Sequence, residues 1–260
     1  MAEITPLSID RFLLIYLLLL IILMIMKKCK IRQSRLLLLG SLQMTVQLVL
    51  AGWLLTYIFN NAEPLYTVMY VLVMIGFTIR RVLSKNRELN KKFRLYIALT
   101  LSISGISIIV FFITCVIKEN FFNPQYVIPL SGMIFGNVMT GLNLGLKTFR
   151  ESIDAEGEKI EALLNFGGTP DDILRPFVSQ ALETALFPTL NSMVGMGIVS
   201  LPGMMTGQIL AGAIPATAIL YQIAIMIAIA TTVCLSVFGS LYLGYRTIYN
   251  KDAQILFLRH

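Results

Sequence analysis

Charged residues fall in a few short clusters along this chain and leave long uncharged runs between them: Phe12–Met26, Leu36–Ala62, Pro64–Ile79, Leu95–Ile117, Asn120–Leu146 and Thr184–Tyr245. A helix needs about 20 apolar residues to cross a hydrocarbon layer about 30 Å thick. The last run is long enough for two crossings, and Gly212–Pro215 divides it. The pattern predicts an all-α integral membrane protein with about seven transmembrane helices. It leaves residues 1–260 as one transmembrane domain with no soluble second domain.

Composition supports the same class. Hydrophobic residues make up 57% of the chain and charged residues 13%, against about 25% charged in a soluble domain. Mean hydropathy is +0.78. The net charge of +7 does not imply a nucleic-acid partner, because Lys and Arg cluster beside hydrophobic runs and form no basic face interleaved with aromatics. Cys29, Cys115 and Cys234 stand alone, outside any CxxC or Cys/His spacing, so neither a disulfide framework nor a zinc site is implied.

The basic residues report topology. Loops alternate rich and poor in Lys and Arg: Lys27–Arg35 and Arg80–Arg94 are rich, Asn60–Pro64 and Lys118–Glu119 are poor. Lys147–Glu183 and the tail from Arg246 are again rich. Under the positive-inside rule the rich segments are cytoplasmic. The N-terminus is then outside and the C-terminus inside, in a cytoplasmic (inner) membrane crossed several times. The first run has no basic segment before it and no small-residue cleavage site after it, which reads as an uncleaved first helix. It is also the shortest run, and it spans only if Asp10 and Arg11 reach the headgroups. A six-helix count therefore stays open.

Lys147–Glu183 is the one sizeable polar segment. Ile153, Ile160, Leu163 and Leu164 recur at helical spacing. Gly167-Gly168 supplies a left-handed residue to end that helix. Thr169-Pro170-Asp171-Asp172 starts another: an N-cap, a first-turn proline and two carboxylates at the positive end of the dipole. The expected product is a cytoplasmic helix hairpin leading back into the membrane. Docking of a soluble partner and simple packing on the chain's own helices both require such an amphipathic face.

Longer motifs carry a resemblance. Glu161-Ala162-Leu163-Leu164-Asn165-Phe166-Gly167 resembles the E-A-A-x-x-x-G coupling segment of ABC-importer-type permeases. Val127-Ile128-Pro129-Leu130-Ser131-Gly132-Met133-Ile134-Phe135-Gly136-Asn137-Val138-Met139, Gly167-Gly168-Thr169-Pro170 and Val199-Ser200-Leu201-Pro202-Gly203-Met204-Met205-Thr206-Gly207 resemble the FetB (YbbM)-like permeases. That family includes bacterial iron exporters and plant aluminium-sensitivity permeases. So do Ala211-Gly212 and Tyr221-Gln222. The resemblance implies the membrane subunit of an ATP-driven exporter of iron or another metal, paired as a homodimer. A cytoplasmic ABC ATPase subunit would hold the ATP and magnesium, and this chain would carry no cofactor of its own. It also implies that Glu161, Ala162, Gly167, Gly168, Thr169 and Pro170 couple to that ATPase.

Within the apolar runs, Gly132/Gly136 and Gly141/Gly145 form small-xxx-small pairs that bring helices close. Gln43 and Gln47 lie one turn apart, and with Asn137 and Gln208 they are the candidates for a polar substrate pathway. Interhelical hydrogen bonding explains such amides equally well. Pro202 and Gly203 are expected to break a helix at membrane depth, as a hinge or as a kink. Met133, Met139, Met193, Met196, Met204 and Met205 are better read as gap fillers than as soft-metal ligands, and the metal ligands stay unassigned. No catalytic residues are expected, since HExxH, GxSxG and a true Walker A are all missing. A secondary transporter, or a permease for a non-metal small molecule, remains the alternative.

Overall fold

The computed structural model describes residues 8, 12, 14–31, 33–61 and 63–249. Over these the chain is helical almost throughout. The helices are α1 Leu17–Lys28, α2 Ser34–Asn60, α3 Pro64–Lys85, α4 Lys91–Phe111, α5 Pro124–Ala155, α6 Gly157–Asn165, α7 Pro170–Gly195, α8 Gly203–Leu210 and α9 Pro215–Gly244. A π-helical turn, Phe112–Ile117, continues α4, and a 3-10 turn, Tyr245–Thr247, continues α9. The chain divides into two compact units, Met1–Asn61 and Ala62–His260.

In the first unit α1 and α2 are joined by a turn in which Lys30 has φ of +53°, and the Tyr16 hydroxyl bonds to that of Thr45. The 12 residues of α1 rise only about 18 Å at 1.5 Å each, less than the hydrocarbon thickness. Asp10 and Arg11, which the sequence reading enlists to lengthen this span, lie outside the described residues.

The second unit is built around α5, which packs against α3, α7 and α9, while α9 also packs along α4. Small residues set these approaches. A Cβ on Gly141 would come within 2.6 Å of Val233 Cγ1, and one on Gly145 within 3.2 Å of Ala185 Cβ. On the α4–α9 seam, a Cβ on Gly244 would meet the Phe93 ring at 2.5 Å. Beside it the Thr100 and Ser240 hydroxyls pair at 2.6 Å, and those of Ser104 and Ser236 at 2.5 Å. Leu95, Leu99, Ile103 and Ile106 on the other side of α4 are exposed, as a lipid-facing surface requires.

Among the described residues, five helical segments are long and apolar enough to cross a membrane: Ser34–Asn60, Pro64–Lys85, Lys91–Ile117, Pro124–Ala155 and Pro215–Thr247. The sequence reading counts about seven because it assigns one more crossing to the apolar stretch after Thr184 and another to the first helix. The helix over that stretch, α7, is displaced toward the N-terminus. Its cap at Thr169 starts it at Pro170, so Asp171, Asp172, Arg175 and Glu183 are all part of it. Pro176 and Pro188 sit inside it without ending it. The segment Lys147–Glu183 is correspondingly less of a loop than its polarity implies, since α5 runs on to Ala155 and only residues 156–169 lie between the two long helices.

Candidate functional site

The polar hairpin is assembled from local rules. After α5 the backbone turns at Glu156 (φ −107°, ψ 21°), and α6 begins at Gly157. Its end is a Schellman closure: the Gly167 amide donates to the Leu164 carbonyl and the Gly168 amide to the Leu163 carbonyl, both at 3.0 Å. Gly167 has φ of +89°, a conformation that costs a side-chain-bearing residue about 1–2 kcal/mol. Gly168 is constrained by space instead, since a Cβ there would lie 3.0 Å from the Leu163 carbonyl oxygen and 3.1 Å from Ile173 Cδ1. Thr169 caps α7: its hydroxyl accepts from the Asp172 amide at 3.2 Å and donates to the Asp172 carboxylate at 2.6 Å. Pro170 occupies the first turn, where its missing N–H costs nothing.

The apolar face of the hairpin divides in two. Ile153 and Ile160 are fully buried and Leu164 packs against the core. Leu163 is exposed, and Phe166 at the tip is 90% exposed. Glu161 and Ala162 are exposed beside them. Packing on the chain's own helices thus accounts for the inward residues and leaves Leu163 and Phe166 unexplained.

The four amides singled out for a pathway are not joined to one another by any described hydrogen bond. Gln43 and Gln47 are exposed on α2, and Asn137 is exposed on α5, where its side chain donates to the Met133 carbonyl at 2.8 Å. Gln208 on α8 is half-buried, and its side-chain oxygen is shielded with no partner. Of the small pairs, Gly141 and Gly145 face neighbours, whereas Gly136 opens onto empty space. Pro202 is the N-cap of α8, after an irregular stretch from Met196 that includes Gly197 at φ +84°. The helical run is therefore interrupted over residues 196–202, and the short helix α8 follows it. Among the described residues no three His, Cys, Asp or Glu side chains come together in a way that could hold a metal ion.

Several arrangements are not evident from local sequence. Gln222 on α9 is buried; it donates to the Met196 sulfur at 3.7 Å and leaves its own oxygen unpaired. At the polar end, Arg150 pairs with Glu88 at 2.9 Å, and the Tyr249 hydroxyl donates to Asp171 Oδ1 at 2.8 Å. Burial and the Asp171 carboxylate hold the Tyr249 phenol well above its ordinary value, up to about 12. The hydroxyl pairs of α4 and α9 had a sequence signal in the spacing of Thr100/Ser104 and Ser236/Ser240, one helical turn apart in each case. The other contacts had none.

Residues 9–249 match the Uncharacterised protein family UPF0014. The chain is 34% identical over 214 residues to the UPF0014 membrane protein slr1647 of Synechocystis, covering 81% of this chain and 82% of that one. It is 33% identical over 212 residues to the Probable iron export permease protein FetB of Escherichia coli, covering 81% and 80%. It is 32% identical over 211 residues to Protein ALUMINUM SENSITIVE 3 of Arabidopsis thaliana, covering 81% and 76%. No solved structure matches. The chain belongs to the UPF0014 family and is a multi-pass membrane protein, as the motifs at Val127–Met139 and Val199–Gly207 indicate.

Proposed function

We propose that this UPF0014 member is the membrane-spanning permease subunit of an ATP-driven exporter of iron or another metal. A separate ABC-type ATPase subunit binds ATP and magnesium and supplies the energy. Two copies of the permease and two ATPase chains make the working unit, with closed two-fold symmetry. The basic loops face the cytoplasm, where the ATPase is. The metal crosses weakly held, free or carried by a small chelating ligand.

The observation that carries this reading is the outward half of the hairpin. Leu163 and Phe166 stand exposed on a rigidly closed turn at the polar end of the molecule, and an exposed aromatic on a fixed turn is suited to anchoring in a partner's groove. Similarity to a protein named as an iron export permease supports the cargo. In this reading Glu161, Ala162, Gly167, Gly168, Thr169 and Pro170 form the coupling element, and Pro202 and Gly203 mark the hinge.

Gly167→Val strains the turn and redirects Phe166 while leaving the long helices inserted. The expected result is normal membrane abundance with lost ATPase capture or lost stimulation of ATP hydrolysis. Glu161→Arg should weaken capture in the same assay, and cells lacking the protein should accumulate the exported metal. Full transport and full ATPase association in both variants would make the hairpin a connector and overturn the assignment.

A further inference from the structure

The residues that follow α9 are held from two sides. Tyr245 and Ile248 are buried, which fixes the backbone between and around them. The Asn90 side-chain amide donates to the Thr247 carbonyl at 2.7 Å, while Asn90 Oδ1 caps α4 by accepting from the Phe93 amide at 2.7 Å. Two residues on, the Tyr249 hydroxyl reaches Asp171 in the first turn of α7 at 2.8 Å. The same short loop that contains Asn90 also contains Glu88, which pairs with Arg150 near the end of α5 at 2.9 Å. Both arms of the α6 hairpin are therefore tied to the loop between α3 and α4. The α5 arm is tied directly, and the α7 arm through Tyr249, Thr247 and Asn90. Neither local capping nor helix packing requires the second tie, because Thr169 and Asp172 already satisfy the start of α7.

We infer that Tyr245–Tyr249 is a strap linking α9 to the α6 hairpin, with Tyr249 as the positioning residue that sets the hairpin's angle through Asp171. A shift of α9 then reaches Phe166 through one directional hydrogen bond to a carboxylate, a stronger class of bond than a neutral pair. The role in coupling rests on the ATPase-docking reading of the hairpin. The positioning itself does not.

The test uses the full chain in lipid nanodiscs, alone and with its ATPase. Tyr249→Phe keeps the ring, which packs against the core, and removes only the hydroxyl. In the permease alone, backbone hydrogen exchange over residues 157–169 should quicken by about tenfold, the effect of losing a bond to a charged group that closes a local unit. Exchange in α4 and α9 should not change. With ATPase at saturation, stimulation of hydrolysis should fall by about three- to tenfold while capture stays within about twofold. Asp171→Ala should reproduce the loss, and the double variant should be no worse than the more severe single.

Unchanged exchange over 157–169, equal quickening along the whole chain, or additive single effects would each overturn the strap. Faster hairpin exchange with full stimulation would overturn its part in coupling. If Gly167→Val leaves ATPase capture and stimulation intact, the docking reading fails instead. The exchange measurement on the permease alone still decides whether Tyr249 positions the hairpin.

Discussion

Ser104 and Ser236 share a hydrogen bond of 2.5 Å across α4 and α9, one helical turn from the 2.6 Å pair formed by Thr100 and Ser240. Ser104 also donates to the Thr100 carbonyl at 2.6 Å and Thr100 to the Tyr96 carbonyl at 2.8 Å, so the two α4 hydroxyls keep a partner on their own helix when the one across is lost. Such interhelical bonds in membranes are worth about 0.6 kcal/mol on average and about 1.7 at most. Ser236→Ala should therefore lower thermal stability in detergent only slightly. Gly141→Val, which forces a methyl against Val233, should cost about 1–3 kcal/mol by overpacking. A scan in which Ser236→Ala is the more damaging of the two would show that hydroxyl pairing, not close approach, holds the bundle.

The hairpin turn makes a graded prediction. Asn tolerates a left-handed backbone better than other side-chain-bearing residues, and a β-branched residue tolerates it worst. ATPase stimulation should fall in the order wild type, Gly167→Asn, Gly167→Val. Equal activities for Asn and Val would detach the positive φ of Gly167 from function.

Gln222 is buried with an unpaired oxygen, a condition that costs folding free energy. Replacing the whole amide by an apolar side chain of similar size removes that cost. Gln222→Leu should unfold at the same temperature as wild type or higher. If the amide serves transport, export should fall in the same variant, and a stable, inactive protein is the expected pair of results. Lower stability would mean that an internal water or another group satisfies the oxygen.

The Tyr249 phenol titrates near 12, above the usual value of about 10. A raised phenol pKa means that the neutral form is favoured in the folded state. Its contribution is present in full below about pH 10 and is lost as the pH rises through 12. Difference absorbance between wild type and Tyr249→Phe should show a tyrosine ionising near 12. Removing the carboxylate in Asp171→Ala should move it down. A difference spectrum already complete at pH 10 would contradict the Asp171 contact.

Orientation can be read with single-cysteine labels in a background lacking Cys29, Cys115 and Cys234. Asn61 and Asn120 should label from outside and Asn165 from inside. Asn86 is buried and donates to the Val82 carbonyl, so the loop between α3 and α4 is better probed at the exposed Arg87, which should also label only from inside. Labelling of Arg87 from outside in intact cells would invert the topology.

The sequence alone determined the class of this protein, most of its long apolar helices, the alternation of basic loops and the caps of the hairpin. Each of these is local. A charge is costly in hydrocarbon wherever the rest of the chain lies, and Gly167, Thr169 and Pro170 act on backbone groups a few residues away. For the same reason the family motifs and the turn of the candidate site are legible in the sequence itself. Tertiary structure decided what depends on a distant neighbour. Gly141 and Gly145 face other helices and Gly136 does not, although all three stand in the same small-residue spacing. Ile160 turns inward and Phe166 outward. The helix capped at Thr169 runs on unbroken through Pro176, Glu183 and Pro188 to Gly195. Tyr249 meets Asp171 from 78 residues away, a pairing set by where α7 and α9 are packed, which no window of the sequence contains.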